Sequence, residues 1–369
     1  MGHLINNKEY VYRALAERLN KNPVGAPINE TLMAILYGLY TESEAMVGSK
    51  FRLVPMKLEQ IAKVTGIKEE QLKTILEGMA NKGLVLDIPL KDTFYYTLAP
   101  MVIGFFEFTF MRVRDDVNFK NLAGLFQNYF NTKEVRDELS GDSTKMMRTL
   151  VYESLIAVSV ETEVLTYERA SEIIRESGGG AISICPCRHK ASHLGKACGA
   201  PLEVCTSLGN AAEWIIRRGM GKPAAVDELL KVLDQTEKYG LVHNCDNVLN
   251  KPTFICHCCG CCCEVLITIN EAGKYITHPS NFLPVLETEK CVGCGTCADR
   301  CHIRAITMQE DEYGAEIPVV NKEICLGCGV CASACPSSSL TMSRRTVLHV
   351  PPDNTKEKFL RIAREKGRI

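Results

Sequence analysis

Two runs of cysteine near the end of the chain have a spacing that suits iron–sulfur chemistry. The first reads C-x-x-C-x-x-C-x-x-x-C from Cys291 to Cys301, and the second repeats this pattern from Cys325 to Cys335, with Pro336 next. Three thiolates from one tight loop and a fourth from elsewhere bind a [4Fe–4S] cubane, and with two such runs the fourth cysteine of each ligates the other cluster. The sequence therefore predicts two [4Fe–4S] clusters and one-electron chemistry at low potential.

The crossed arrangement divides these eight cysteines into two ligand sets. Cluster one is assigned to Cys291, Cys294, Cys297 and Cys335. Cluster two is assigned to Cys325, Cys328, Cys331 and Cys301. Glycines lie between the ligands, and glycine suits loops in which backbone N–H groups approach sulfur closely. The alternative for pairs of C-x-x-C is a zinc ribbon, but zinc would leave the third and fourth cysteines of each run without a role.

The segment around these runs, roughly residues 285–343, resembles the bacterial 2[4Fe–4S] ferredoxins. The resemblance rests on the two cysteine runs and on Pro336, and it implies a domain that stores and passes electrons. The chain departs from the family at His302, where proline is usual. This departure removes no ligand, although it changes a turn or a hydrogen bond beside cluster two.

A second group of cysteines lies in the middle of the chain. Four of them match the number of ligands in one cubane: Cys185, Cys187, Cys198 and Cys205. The first two are followed by Arg188, His189 and Lys190, whose positive charge would offset the negative charge of a thiolate-ligated cluster and raise its potential. These four cysteines are therefore candidate ligands of a third cluster.

The remaining middle cysteines are more closely spaced. They are Cys245, Cys256, Cys258, Cys259, Cys261, Cys262 and Cys263. Side chains alternate sides in an extended segment, so these residues cannot all face one metal. A further [4Fe–4S] cluster, an unusual iron–sulfur cluster, structural zinc and buried free thiols are the open interpretations. His243 and His257 are additional candidate ligands.

The middle region loosely resembles a cysteine-rich module of uncharacterised ferredoxin-type oxidoreductase proteins of anaerobes. The resemblance is carried by C-P-C-R at 185–188, by Cys198 and Cys205, and by C-x-C-C-x-C-C-C at 256–263. It implies at least one further iron–sulfur cluster and specifies no activity.

Composition limits the other interpretations. The chain has 369 residues, enough for two or three domains, and 19 cysteines, an odd number that argues against a disulfide framework. It shows no signal-peptide core and no apolar stretch of bilayer-spanning length. The formal net charge of -1 gives no general attraction to nucleic acid. So many thiolate ligands favour a reducing cytoplasm and anaerobic metabolism.

The first 175 residues contain no cysteine and have helical periodicity. Two helices at 56–66 and 68–82, followed by strand-like runs at 84–88 and 94–98, predict a winged-helix-like region over roughly 29–100. Such a region binds DNA or another protein. The helix that would enter the groove carries Glu69, Glu70 and Glu77, which oppose a phosphate backbone, so no specific nucleic acid partner is expected.

These patterns predict an α+β multidomain chain. Its parts are a helical, winged-helix-like domain at 1–175, a cysteine-rich α/β middle at 176–284, a 2[4Fe–4S] ferredoxin-like domain at 285–343 and a basic tail at 344–369, either solvated or docked on an acidic redox partner. The interpretation is a cytoplasmic electron-transfer protein, a subunit or redox partner of an anaerobic oxidoreductase complex. The alternatives are a redox-sensing transcription regulator and a reductase whose catalytic cluster lies in the middle domain. The sequence shows no catalytic residues and leaves enzymatic activity open.

Overall fold

The computed structural model describes residues 2–141, 143–156 and 166–369, with side chains from Lys8 onward. The parts of the predicted helical domain that fall on 142 and 157–165 lie outside the described residues. Within the described ranges, no helix combines the length and the apolar character that crossing a membrane requires.

The first part of the chain is helical, as its periodicity predicts. Its helices are α1 (Gly2–Asn20), α2 (Glu30–Leu39), α3 (Glu42–Ser49), α4 (Leu58–Thr65), α5 (Glu69–Lys82), α6 (Phe106–Phe110), α7 (Phe119–Phe130) and α8 (Lys133–Ser140). The segment Met101–Phe105 before α6 is an irregular turn, since its central residues have non-helical φ and ψ. Asn29 caps α2, and Thr41 with Glu44 forms a capping box at the start of α3. The apolar faces of these helices share one buried cluster.

A small antiparallel sheet accompanies α4 and α5. Its strands are β1 (Met56–Lys57), β2 (Val85–Leu90) and β3 (Thr93–Leu98), in the order β1-β3-β2. The turn between β2 and β3 contains Lys91, whose φ of 54° is left-handed. The two helices thus lie between the first strand and a hairpin, in the chain order that the sequence predicts for this region.

The cysteine-rich middle is built on a seven-stranded sheet of order β10-β4-β8-β9-β6-β5-β7. Its strands are β4 (Met147–Leu150), β5 (Gly180–Ile184), β6 (Glu203–Leu208), β7 (Lys222–Ala224), β8 (Val242–Asp246), β9 (Phe254–Cys258) and β10 (Thr277–His278). The accompanying helices are α9 (Ala170–Ser177), α10 (Pro186–His193), α11 (Gly209–Arg217), α12 (Val226–Lys238) and α13 (Glu264–Ala272). Since β4 comes from the segment assigned to the helical domain, this sheet starts before the expected boundary at 176.

The last part contains two short antiparallel strand pairs. Strand β11 (Phe282–Leu286) pairs with β14 (Leu340–Arg344), and β12 (Ile306–Glu310) pairs with β13 (Glu316–Val320). Two one-turn helices, α14 (Thr296–Asp299) and α15 (Val330–Ser333), follow the first cysteines of each run. One-turn 3₁₀ helices also occur at Glu153–Leu155, Thr166–Glu168 and Thr288–Lys290. In the last part of the chain, each cysteine run contains a one-turn helix and is followed by a strand, as the sequence repeat predicts.

The basic tail is bound to its own chain through helix α16 (Thr355–Glu365). Lys358 is 2% exposed and forms an ion pair with Asp246 at the end of β8. Beyond the helix, Lys366 and Arg368 form ion pairs with Glu138, at 2.6 and 2.7 Å. The positive charge predicted for the tail is therefore partly used inside the molecule to tie α16 to the helical and middle parts.

We expect the substitution Lys358→Met to destabilise the protein strongly. Removing one partner of a buried ion pair leaves the carboxylate of Asp246 uncompensated, which typically costs about 3–5 kcal/mol. The matched control is Arg361→Met on the same helix, because its partner Glu357 is exposed and water replaces the contact. Thermal melting under anaerobic conditions should show a clear drop in Tm for the first variant only. Equal Tm values for the two variants would contradict a supporting role for the buried pair.

Candidate metal centres

The first ferredoxin-like ligand set converges on one pocket. The thiols of Cys291, Cys294 and Cys297 line it together with Cys335, which comes from the second run. Ser339 Oγ lies 3.2 Å and Ser337 Oγ 3.6 Å from Cys335 Sγ. Although burial raises the pKa of Cys335, these hydroxyl contacts outweigh it and lower the pKa to about 7. The pocket therefore gathers four sulfurs around one space and supports the thiolate that a metal ligand requires.

The second ligand set is also crossed, and it is more deeply buried. The sulfur of Cys301, from the first run, lies close enough to Cys325, Cys328 and Cys331 to affect the pKa of each. Burial, with the nearby sulfurs of Cys325 and Cys301, raises the pKa of Cys328 to about 12. Backbone N–H groups approach two of the sulfurs: Ala305 N lies 3.2 Å from Cys301 Sγ, and Gly327 N lies 3.4 Å from Cys325 Sγ.

The loops that carry these ligands fit a cluster sterically. The four glycines between the ligands, Gly293, Gly295, Gly327 and Gly329, all have left-handed φ values of 65°, 71°, 67° and 88°. At Gly327 a Cβ atom would collide with the carbonyl oxygen of Phe282. Only glycine tolerates both this φ value and this contact, so Gly327 allows the loop to wrap around a compact group. The donor set and the loops suit two [4Fe–4S] clusters, which supply one-electron transfer when bound.

The middle cysteines form two separate groups. The outer thiol group consists of Cys198, Cys259, Cys261 and Cys262, whose sulfurs all lie within 4.8 Å of one another. Its members come from the loop before β6 and from the turn between β9 and α13. Among the residues that the structure describes, no other set of three or more cysteine, histidine or acidic side chains is gathered this tightly.

The inner thiol group lies on one face of the seven-stranded sheet. Its members are Cys185, Cys187, Cys205, Cys256, Cys258 and Cys263. Direct interactions connect Cys187 to Cys263, Cys263 to Cys258 and Cys256 to Cys205, and Cys185 lies near Cys187 and Cys205. Neighbouring sulfurs and burial raise the pKa values of Cys187, Cys256 and Cys263 well above the usual range. Several thiolates are therefore stable together here only with a cationic group among them.

The structure divides the middle cysteines differently from the expected quartet of Cys185, Cys187, Cys198 and Cys205. Cys198 lies in the outer thiol group, with Cys262 Sγ 3.9 Å away, while the other three lie in the inner group. The expected alternation of sides in strand β9 explains part of this division. Cys258 packs with residues of α13, whereas Cys259 has left the strand and its sulfur lies 3.6 Å from that of Cys198.

Three other candidate ligands lie on the opposite face of the sheet. Cys245 is buried in an apolar cluster with Leu150 and Ile255, where the thiol groups are absent. His243 and His257 approach the hydroxyl of Thr236, at 3.2 and 2.9 Å. Burial lowers the pKa of His243 to about 3 and that of His257 well below its usual range. The structure thus separates all three from the thiol groups, because the strands alternate their side chains between two faces.

Of the three basic residues predicted to lie beside the thiols, only Arg188 interacts with them. Arg188 is 1% exposed, donates a hydrogen bond of 2.7 Å to the His257 carbonyl oxygen and interacts with Cys185 and Cys259. Lys190 is buried in an ion pair with Glu264, which neutralises it. His189 faces the N-terminal helices instead, where its Nδ1 lies 2.7 Å from the Phe110 carbonyl oxygen. Arg188 is therefore the cation that lies between the inner and outer thiol groups.

His302 connects the ferredoxin-like part to the outer thiol group. Its Nδ1 accepts a hydrogen bond of 3.2 Å from the backbone N–H of Gly260, and its Nε2 lies 2.7 Å from the Gly240 carbonyl oxygen. A Cβ atom at Gly260 would come within 2.5 Å of the His302 carbonyl oxygen, so only glycine permits this approach. The sequence marked His302 as a departure from the ferredoxin pattern, but nothing local indicated its partner.

The inner thiol group and the second ligand set share a buried part of the molecule. Cys258 and Cys263 share one buried apolar cluster with Cys325, and Cys301 and Cys328 pack against it. Two ligands of the first set, Cys297 and Cys335, lie in an adjoining cluster with Cys331 and Cys301. The three thiol sets therefore follow one another through the protein interior, with the second ferredoxin-like set in the middle.

Comparison with protein families assigns residues 290–339 to the 4Fe-4S dicluster domain. This segment is the C-terminal part that contains both crossed ligand sets, so the expectation of a ferredoxin-like iron–sulfur domain is confirmed. The comparison with curated proteins finds no match, and neither does the comparison with solved structures. The chain thus contains an iron–sulfur binding domain at its C-terminal end and, beside it, a cysteine cluster that could hold metal.

Proposed function

We propose that this protein is a multi-cluster electron-transfer protein of anaerobic metabolism, which acts in the cytoplasm as a subunit or redox partner of a larger oxidoreductase. Electrons would pass between an external protein, the two ferredoxin-like sites and a third iron–sulfur site in the inner thiol group. Four of the six inner thiols would be its ligands, since a cubane requires four. A reductase with its catalytic cluster in this inner site is the enzymatic version of the same proposal.

The observation that carries this proposal is the packing of Cys258 and Cys263 against Cys325 in one apolar cluster. Two members of the inner group therefore lie in the same buried apolar cluster as a ligand of the second ferredoxin-like set. Buried surroundings and hydrogen bonds to sulfur are the features by which proteins tune cluster potentials. At the other end, Cys294 of the first set is exposed, which suits electron exchange with a partner. The proposed order of sites runs from the exposed first set to the inner group.

We propose that the region of roughly 29–100, from α2 to β3, is a winged helix that serves as a protein-binding element. The support is the strand order β1-β3-β2 with α4 and α5 between β1 and β2. The helix α5 and the hairpin also contact the middle part, because Arg218 forms ion pairs with Glu77 and Asp87. Binding of this helix in a DNA groove is disfavoured, since the exposed Glu69 and Glu70 would face phosphate groups and Glu77 is already paired with Arg218. Regulation of transcription therefore gains no specific support.

His302 tests whether electron transfer between the two parts depends on how they dock, because it holds the turn at Gly260 against the ferredoxin-like part. We expect His302→Ala to slow electron transfer from the ferredoxin-like sites to the middle by about tenfold or more, because residues that support metal ligands typically have effects of this size. The iron content should not change, as His302 is not a ligand. The measurement is rapid reduction of the anaerobic protein by a low-potential donor, followed by freeze-quench EPR of each site.

The matched control for this experiment is Arg300→Ala. Arg300 also joins the ferredoxin-like part to the middle part, through a hydrogen bond of 2.9 Å that it donates to the Tyr239 carbonyl oxygen and not to the thiol-bearing turn. Its removal should leave the transfer rate at the wild-type value. Unchanged rates in both variants would show that electron transfer does not depend on the docking contact of His302. An absent third EPR signal in the wild-type protein would contradict the proposed inner site itself.

A further inference from the structure

The outer thiol group is too compact for a cubane. Cys198 Sγ lies 3.6 Å from Cys259 Sγ and 3.9 Å from Cys262 Sγ, and Cys261 Sγ lies 3.6 Å from Cys262 Sγ. Each thiolate of a cubane binds a different iron at a different corner, which holds the ligands farther apart. None of the eight ferredoxin-like cysteines, which lie among the described residues, belongs to a set gathered this tightly.

The same spacing fits four ligands of a single metal ion. In a tetrahedral site with Zn–S bonds of about 2.3 Å, neighbouring sulfurs are about 3.8 Å apart. The observed sulfur separations lie on either side of that value. All four donors are thiolates, the ligand type that selects zinc and iron. Arg188, which interacts with Cys259, offsets part of the negative charge that four thiolates bring to a divalent ion.

From this geometry we infer that Cys198, Cys259, Cys261 and Cys262 hold one divalent metal ion, Zn²⁺ or Fe²⁺, in a mononuclear tetrahedral site without inorganic sulfide. The site is distinct from the inner thiol group. The inference does not depend on the proposed electron transfer, because a mononuclear ion would be present whether or not the other sites exchange electrons.

The position of the site gives the ion a structural role. Cys198 lies 61 residues before Cys259, so the ion would join two distant segments of the chain. One of them is the turn that contains Gly260, whose N–H binds His302. Closing a long loop restricts the unfolded chain, and structural zinc sites stabilise folds in this way. The ion would therefore fix the turn against which the ferredoxin-like part docks.

The test is elemental analysis of the full-length chain, purified without oxygen, with zinc, iron and acid-labile sulfide measured together. Iron–sulfur clusters of this type contain equal numbers of iron and sulfide. We expect one metal ion per chain in addition to the iron that equals the sulfide in number, and the analysis itself distinguishes zinc from iron. The double variant Cys259→Ser/Cys262→Ser should lose that ion and no sulfide. The control Cys245→Ser removes a buried thiol from the other face of the sheet and should retain the ion.

Two results would overturn the inference. One is a loss of iron and sulfide in equal amounts from the double variant, which would show a cubane at this site. The other is an unchanged metal content. Because the double variant could fail to fold, cobalt substitution of the unmutated protein gives a second measurement. Bound cobalt should show the intense absorption bands of tetrahedral cobalt thiolate, and bound cobalt without these bands would also contradict the site.

Discussion

Replacing Cys335 with serine is expected to abolish the first ferredoxin-like cluster, although Cys335 belongs to the second cysteine run. Its sulfur lines the same pocket as Cys291, Cys294 and Cys297. We expect a [4Fe–4S] cluster that loses one of its four thiolate ligands to be lost, so the iron content should fall by roughly one cluster per chain. The second cluster should remain, because its ligands are untouched.

Comparison with two other variants makes this experiment decisive. Cys297→Ser removes a ligand of the same pocket, so its EPR spectrum should match that of Cys335→Ser. Cys331→Ser removes a ligand of the other set, although it lies only four positions from Cys335 in the sequence. Its spectrum should show the opposite cluster missing. If Cys335→Ser resembled Cys331→Ser instead, the crossed arrangement of ligands would be wrong.

The double variant Cys258→Ser/Cys263→Ser is expected to remove the proposed third cluster and to stop electron delivery beyond the ferredoxin-like sites. Both thiols belong to the inner group and pack beside Cys325. Two substitutions are made because a surplus thiol could replace a single lost ligand. Since four inner thiols remain in the double variant, loss of the cluster would identify Cys258 and Cys263 as ligands. Iron and sulfide should fall together by about one cluster, while the EPR signals of the two ferredoxin-like clusters persist.

The matched comparison is Cys259→Ser/Cys262→Ser, which changes the same number of thiols in the outer group. It should retain the inner cluster and its iron–sulfide balance. Electron delivery is followed with the physiological acceptor, or with a one-electron dye that oxidises the middle part. Continued delivery by Cys258→Ser/Cys263→Ser at the wild-type rate would show that the inner group is not the end of the electron path.

The ferredoxin-like ligands could be identified from the sequence because the requirement is local. Three of four ligands in each set lie within one short loop, so the C-x-x-C-x-x-C spacing by itself determines their geometry. The glycines between them follow from the same loop conformation, with left-handed φ values at each position. The helices α4 and α5 could also be predicted from the sequence, since periodicity and the terminating Gly66 and Gly83 are local signals.

The division of the middle cysteines was decided only by the tertiary structure. Nothing in the spacing of Cys198 shows that it turns to Cys259 and Cys262 and not to Cys205, since the partners lie about 60 residues apart and their approach depends on the order of strands in the sheet. The exclusion of Cys245 has the same cause, because side chains of neighbouring strands point to one of two faces and only the register specifies which.

The contacts that join the parts of the molecule also could not be predicted from the sequence. His302 was visible as an unusual residue, but its hydrogen bond to Gly260 requires the ferredoxin-like part to dock on the middle sheet. Similarly, the composition of the tail shows only that it is basic, whereas the structure shows that Lys358 is buried in an ion pair with Asp246. Local chemistry in this chain follows from residue types and spacing, whereas the number of metal sites and the path between them depend on long-range packing, which no short stretch of sequence encodes.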